Sequence, residues 1–107
     1  MVDDVIRILL NEDSIEDAHV FKAALDEQKV FPVQLVHASL LFTGLERLKE
    51  HQIHLVLLDL RLPDSLGLET VEKVHAQAPD VPIVVLTATD DDVLAMEALK
   101  SGAYDYS

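Results

Sequence analysis

The chain has 107 residues, half of them hydrophobic, and carries 20 acidic against 8 basic side chains, a formal net charge of −12. This length fits a single domain with a core of modest stability and is too short for two domains. The acidic excess argues against direct binding to nucleic acid or to an anionic membrane surface, because both depend on clustered Lys and Arg. The sequence contains no cysteine, which excludes disulfides, thiolate catalysis and cysteine-ligated metal sites.

The beginning of the chain does not have the pattern of a targeting or membrane segment. The apolar run Val5–Leu10 is interrupted by Arg7, and no positively charged stretch precedes it. A signal peptide or a membrane-spanning helix would need a longer uninterrupted run. We therefore expect a soluble, cytoplasmic protein that contacts no membrane.

Four short runs rich in Val, Ile and Leu predict strands. These runs are Val5–Leu10, Val33–Val36, Leu55–Leu58 and Ile83–Leu86. Segments that are apolar on both faces are typical of buried strands in a parallel sheet. A fifth apolar segment begins at Tyr104, and the sequence ends at Ser107.

Between these runs, apolar residues recur at three- and four-residue intervals, which predicts amphipathic helices. The predicted helices run from about Ser14 to Gln28, from Ser39 to His51, from Leu68 to the residue before Pro79, and from Asp91 to Ser101. Ser14 and Asp90 are the expected N-caps of the first and fourth helices, and Gly102 ends the fourth. Alternating strands and helices indicate parallel pairing with right-handed crossovers, and hence a three-layer α/β sandwich.

Polar residues follow three of the predicted strands at the point where each strand ends. Glu12 and Asp13 follow the first strand, Asp59 follows the third, and Thr87 follows the fourth. Ligands of open parallel sheets bind outside the carboxyl ends of the strands, so neighbouring strands would bring these side chains together. Three adjacent carboxylates need compensation, which a Mg²⁺ ion with its preference for oxygen ligands would supply. Asp59 could then attack phosphorus, with Thr87 donating a hydrogen bond to a phosphoryl oxygen.

Simpler explanations remain open for part of this set. Glu12 and Asp13 could only complement the dipole at the start of the first helix, where acids are favoured. Thr87 taken alone could be an ordinary residue at the end of a strand. Asp59 is harder to explain in this way, because a lone acid at the end of an apolar strand needs a partner or a metal.

Four stretches of the sequence together resemble the receiver (response regulator) family of bacterial two-component signalling. They are the acidic pair in residues 8–14, the strand and loop with Pro63 and Gly67 in residues 56–67, the strand ending in Thr87 and Ala88 in residues 82–88, and the Gly-Ala turn in residues 100–106. The resemblance covers essentially the whole chain. It implies a flavodoxin-like parallel sheet with strand order 2-1-3-4-5.

The resemblance also implies roles for the acidic residues. Asp59 would be the phosphoacceptor. Asp13 would bind Mg²⁺ directly, and Glu12 would bind it directly or through water. The backbone carbonyl of Arg61 would supply a further metal ligand, a role that reasoning from side chains does not reveal.

Other residues would respond to the phosphoryl group. By the same resemblance, Thr87 would bind it, and Thr87 with Tyr106 would form the switch. The side chains of Arg61 and Thr89 would tune the lifetime of the phosphoryl group. The expected partners are a histidine kinase or a histidine phosphotransfer protein, together with a second copy bound through the face of the fourth helix and fifth strand.

The sequence departs from the family pattern at its end. Family members carry a Lys about three residues after the aromatic switch position, followed by a fifth helix, and this sequence ends at Ser107 before both. We therefore expect residues 1–107 to form one receiver domain truncated at its C-terminal end. In such a domain the fifth strand is cut short and the fifth helix is absent.

The leading hypothesis is a phosphoacceptor domain that is not an enzyme with a separate substrate, and that only phosphorylates and slowly dephosphorylates itself. One alternative is a pseudo-receiver, an interaction domain without phosphotransfer. Another is a Mg²⁺-dependent phosphohydrolase with Asp59 as its nucleophile. The hydrolase is disfavoured because Arg61 stands where a second acid would protonate the leaving group.

Overall fold

A computed structural model describes residues 5–27, 32–86, 100 and 102–106 of the chain. Its central sheet contains five parallel strands: β1 (Ile6–Asn11), β2 (Val33–Ala38), β3 (Leu55–Asp59), β6 (Ile83–Leu86) and β7 (Asp105–Tyr106). The helices are α1 (Ile15–Glu27), α2 (Leu41–Glu50) and α3 (Leu68–Gln77). A short antiparallel ribbon, β4 (Arg61–Leu62) with β5 (Ser65–Leu66), follows β3. Within these residues no helix is long and apolar enough to cross a membrane.

The strand order in the sheet is β2-β1-β3-β6-β7. When the two ribbon strands are set aside, this is the order 2-1-3-4-5, so the predicted α/β class and sheet order are confirmed. The pairings Asn11↔Leu58 and Asp59↔Leu86 place the carboxyl ends of β1, β3 and β6 at one edge of the sheet. Residues that follow these strands are therefore brought together by the topology.

One face of the sheet packs against α2 and α3. The core there combines residues of β1, β3, β6, α2 and α3, among them Leu9, Val56, Leu58, Leu41, Val71, Val74, Ile83 and Val85. Each such side chain stabilises the fold by roughly 1.5–3 kcal/mol when fully buried. Leu10 points to the opposite face and is fully buried, and Ala18 of α1 is buried outside this cluster. Leu60 and Leu62 join the cluster, which anchors the segment that follows Asp59.

The observed boundaries extend the predicted strands at their carboxyl ends. β1 continues to Asn11, β2 to Ala38 and β3 to Asp59. Hydropathy ends a strand at its last apolar residue, whereas the backbone ladder continues through the polar residue that follows. The predicted N-cap Ser14 is confirmed, because its Oγ accepts a hydrogen bond from the backbone N–H of Asp17 at 3.1 Å.

The start of α2 and the ribbon differ from the sequence-based expectation, and most of the predicted fourth helix cannot be compared. α2 begins at Leu41, not at Ser39, because its first N–H groups are bound by a side chain from elsewhere in the chain, Asp64. The ribbon β4–β5 was not predicted, since two-residue strands leave no periodic pattern. Lys100 is helical as predicted, while the rest of the predicted fourth helix lies outside the described residues.

Helix α2 approaches β1 closely at Gly44. A Cβ at this position would lie 2.5 Å from Oδ1 and 2.9 Å from Cγ of Asn11. Asn11 is fully buried, and its Nδ2 donates hydrogen bonds to the carbonyls of Ala38 and Leu40, both at 2.9 Å. Because these hydrogen bonds hold the Asn11 side chain in place, position 44 has room only for glycine.

We predict that Gly44→Ala lowers the free energy of unfolding by about 1–3 kcal/mol, because the added methyl group overpacks the contact with Asn11. This loss should exceed the roughly 1 kcal/mol by which Ala favours a helix over Gly. Urea denaturation measures the change, with the exposed Lys49→Ala on the same helix as control. Asn11→Ala should relieve the clash, so the double variant should lose less than the sum of the two single losses. Strict additivity would contradict the proposed contact.

Candidate functional site

Asp59 is the last residue of β3 and is half-buried at the carboxyl edge of the sheet. Its Oδ1 accepts a hydrogen bond from the backbone N–H of Arg61 at 2.9 Å. The chain beyond it folds back as the ribbon, closed by a 2.8 Å hydrogen bond from the N–H of Gly67 to the carbonyl of Leu60. The carboxylate of Asp59 is therefore oriented by its own loop and remains accessible from solvent.

Glu12 follows β1 and is buried, with 7 % of its surface exposed. Its backbone N–H donates to the carbonyl of Ala38 at 3.0 Å, and its own carbonyl accepts a hydrogen bond from Nε2 of His37 at 2.7 Å. Its Oε1 accepts a hydrogen bond from the backbone N–H of Ser14 at 3.1 Å. Both the backbone and the side chain of Glu12 are thus fixed by neighbours.

The carboxylates of Glu12 and Asp59 interact with each other. Burial is the largest cause that raises the pKa of Glu12, and the N–H of Ser14 acts against it. The hydrogen bond and the negative charge of Asp59 also raise this pKa, and the net result is a pKa of about 7. A carboxyl group with such a pKa holds a proton over much of the range in which an ordinary Glu is ionised. When Glu12 is protonated, the pair carries one negative charge in place of two, which reduces the repulsion between the two groups.

The third predicted carboxylate does not join this pair. Asp13 is exposed, directly after Glu12. Among the residues that the structure describes, no three acidic or histidine side chains lie close enough together to hold a metal ion. The structure therefore brings together two of the three predicted carboxylates, Glu12 and Asp59.

The remaining predicted residues are only partly within the described chain. Arg61 lies in β4 with an exposed side chain. Thr87 and Thr89 lie outside the described residues, so their predicted roles stay predictions. The backbone of Tyr106 lies in β7, while its side chain is not among those described.

Two polar residues near the site were missed from the sequence. Asn11 is buried directly before Glu12, and Asp64 caps α2 from the ribbon. Against the raising effect of its burial, the N–H groups of Phe42 and Leu41 lower the pKa of Asp64 below its usual value. The sequence gives only an indirect indication of the Asp64 cap. Leu40 stands at the N-cap position of α2, and its apolar side chain cannot accept a hydrogen bond from the helix N–H groups.

The donor set fits a hard divalent cation. Glu12 and Asp59 offer carboxylate oxygens at one point. Asp13 directly follows Glu12, and the backbone of Arg61 lies two residues after Asp59. Oxygen donors of this kind are those that Mg²⁺ uses, typically with several retained waters. A divalent charge would also remove the like-charge cost that now raises the pKa of Glu12.

Comparison with known proteins identifies the family of this chain. The family model described as response regulator receiver domain matches residues 8–106. The chain belongs to this family. The receiver domain is 32% identical over 106 residues to the transcriptional regulatory protein ZraR of Escherichia coli strain K12, covering 99% of this chain and 23% of ZraR. It is 37% identical over 87 residues to the regulatory protein LuxO of Vibrio cholerae, covering 78% of this chain and 19% of LuxO.

Solved structures show the same fold. The response regulator domain of Thermotoga maritima CheB has a TM-score of 0.82 at 25% identity, covering 96% of this chain and 77% of that one. A two-component response regulator from Clostridium difficile has a TM-score of 0.84 at 22% identity, covering 95% and 81%. The resemblance found in the sequence is therefore confirmed at the level of family and fold. The receiver domain spans less than a quarter of the length of the ZraR and LuxO relatives.

The raised pKa of Glu12 predicts that the metal-free receiver domain loses stability as pH rises. The folded-state pKa of about 7 lies above the ordinary 4.5, so the folded state holds a proton that the unfolded state releases. The resulting stabilisation is complete below the unfolded pKa and is lost as pH rises through about 7. In urea denaturation with a chelator, wild type should lose on the order of 2 kcal/mol more than Glu12→Gln between about pH 5 and about pH 8.

The control for this measurement is Glu46→Gln, the same change at an exposed position on α2. Its stability should follow that of wild type across the pH range. If Glu12→Gln also follows wild type, Glu12 does not hold the extra proton.

Proposed function

We propose that this receiver domain accepts a phosphoryl group on Asp59, with Mg²⁺, from the phosphohistidine of a histidine kinase or a histidine phosphotransfer protein. The observation that carries the proposal is the pairing of Asp59 with the buried carboxyl group of Glu12 at the open edge of the sheet. In such a pair Asp59 can act as the nucleophile, and the two carboxyl groups together can bind a cation. The proposal places the domain in the cytoplasm, together with its donor.

The residues of the chain have distinct parts in this reaction. A carboxylate oxygen of Asp59 forms the new bond to phosphorus, and the bond from phosphorus to the donor imidazole nitrogen breaks. The N–H of Arg61 holds one oxygen of Asp59 and so sets the orientation of the carboxylate. When bound, Mg²⁺ supplies positive charge that offsets the charge on the phosphoryl oxygens. By family resemblance Glu12, Asp13, Asp59 and the carbonyl of Arg61 would hold it.

We further propose that the domain turns over no separate substrate. A phosphohydrolase of this design uses a second acid two residues after the nucleophile to protonate the leaving group, and at that position Arg61 presents a basic side chain to solvent instead. Self-phosphorylation by small phosphodonors and slow loss of the group remain as its own chemistry. The state of Asp59 then passes to a partner or to another segment, in keeping with relatives that are named regulatory proteins.

A homodimer through the fourth helix and fifth strand also stays a prediction. Most of that helix lies outside the described residues. Direct contact with nucleic acid is not part of the proposal, given the net charge of −12.

The proposal predicts that acetyl phosphate and Mg²⁺ add one phosphoryl group to the wild-type chain, on Asp59. Intact-protein mass spectrometry follows the modification. Asp59→Asn should not be modified, because the nucleophile is lost. Glu12→Gln should be modified more slowly at the same Mg²⁺ concentration, because a negatively charged ligand is lost. Asp80→Asn, at the opposite edge of the sheet, should behave as wild type.

Other outcomes would select a different function. If wild type is modified by neither acetyl phosphate nor beryllofluoride in the presence of Mg²⁺, the domain is a pseudo-receiver. If it instead turns over a simple phosphoester repeatedly, the hydrolase hypothesis replaces the proposal.

A further inference from the structure

The first turn of α2 is held on one side by Asn11. This residue is the last of β1 and directly precedes Glu12. Its Nδ2 donates to the carbonyls of Ala38 and Leu40, both at 2.9 Å, so a single amide group holds the turn between β2 and α2. Asn11 is completely buried, and the glycine contact at Gly44 prevents it from moving toward the helix.

The same turn is held on the other side by Asp64. Its Oδ1 accepts a hydrogen bond from the N–H of Leu41 at 2.7 Å, and its Oδ2 accepts one from the N–H of Phe42 at 2.9 Å. Hydrogen bonds to an ionised group are about twice as strong as neutral ones, and negative charge is favoured at a helix N-terminus. Because Leu40 supplies no local cap, Asp64 is the side chain that caps α2.

Asp64 belongs to the loop that carries Arg61. It lies at the turn of the ribbon, where Leu62 pairs with Ser65 and Arg61 pairs with Leu66. A ribbon of two-residue strands is too short to be stable alone. It is fixed by buried Leu62, by the hydrogen bond from the N–H of Gly67 to the carbonyl of Leu60, and by Asp64.

Asn11 and Asp64 thus connect the two loops of the site through one short segment, residues 38–42. The Nδ2 group of Asn11 donates hydrogen bonds to two carbonyls of this segment, and the carboxylate of Asp64 accepts hydrogen bonds from two of its N–H groups. Among the described residues, the hydrogen bonds of the Asn11 and Asp64 side chains go to residues 38–42 and not to Asp59. We call this arrangement of Asn11, residues 38–42 and Asp64 the α2 clamp.

We propose that the α2 clamp sets the distance between Glu12 and the backbone of Arg61, which makes Asn11 and Asp64 positioning residues for Mg²⁺. The inference rests on the proposed function. Asn11 is covalently next to Glu12, while Asp64 is three residues from Arg61, so a shift of either end of the clamp moves one ligand relative to the other. Removal of groups that hydrogen-bond directly to metal ligands changes metal affinity by roughly 10–100-fold, and the α2 clamp acts one step further from the metal, so an effect at the lower end of this range is expected.

The sharpest variant is Asp64→Asn. It keeps the shape of the side chain but leaves one oxygen to serve the two N–H groups, and its NH₂ group faces a donor. The matched control is Asp80→Asn, an identical change at an exposed residue. Asp80 precedes β6 and therefore lies at the amino-terminal edge of the sheet, opposite Asp59.

Two readouts are needed for each protein across a Mg²⁺ titration. The first is the initial rate of modification by acetyl phosphate, which gives the Mg²⁺ concentration for half-maximal rate. The second is the urea midpoint without and with Mg²⁺, which separates loss of fold stability from loss of metal binding. A residue that only stabilises α2 would lower the midpoint in both conditions and leave the half-maximal Mg²⁺ concentration unchanged.

We expect Asp64→Asn to raise the half-maximal Mg²⁺ concentration by about tenfold. Asn11→Ala should raise it as well, and the double variant should show less than the product of the two effects, because both act through one turn. Asp64→Ala should raise it further than Asp64→Asn. Asp80→Asn should match wild type.

Two results would overturn the inference in different ways. If Asp64→Asn and Asn11→Ala need the same Mg²⁺ concentration as Asp80→Asn, the α2 clamp does not position the site, and the proposed function stands. If wild type itself shows no Mg²⁺-dependent modification, both the clamp and the proposed function fail.

Discussion

Two carboxyl groups, Glu12 and Asp59, share the carboxyl edge of the sheet, and burial makes the negative charge of Glu12 costly there. The strand order creates this constraint, because β1 and β3 are neighbours and both end at the same edge. A protein selected only for stability would avoid this pair of acids. The unfavourable free energy of the pair is offset by the packing of the hydrophobic core. The site is therefore best understood as local strain held in place by a well-packed fold.

The hydrophobic core positions the edge as well as stabilising it. Leu60 and Leu62 reach back into the cluster shared by α2 and α3, which fixes the loop after Asp59 at two points. On the other side of the site, the backbone of Glu12 is held by Ala38 and His37 of β2. Both carboxylates thus stand on segments whose freedom is small, which is the condition for orienting a ligand or a phosphoryl group.

The sequence predicted what depends on local pattern. Apolar runs gave the strands, and an acid directly after such a run identified Asp59 at the sheet edge. Features that depend on contacts between distant residues could not be predicted in this way. Asp64 caps a helix that begins 23 residues earlier in the chain, and the buried side chain of Asn11 lies against Gly44 on another element. Asp13 has the same residue type as Asp59 but is exposed, whereas Glu12 directly before it is buried.

The proton on Glu12 and a bound cation would perform the same electrostatic task at the same place. Each would reduce the repulsion between Glu12 and Asp59, so a cation held as proposed would compete with the proton, and its binding would release that proton. With the pKa of Glu12 at about 7, that release costs little at neutral pH and progressively more below it. The burial that makes the metal-free pair costly therefore also sets the pH range in which the proposed chemistry is most readily available. One feature, the enclosure of Glu12 beside Asp59, links the stability of the fold to the function proposed for it.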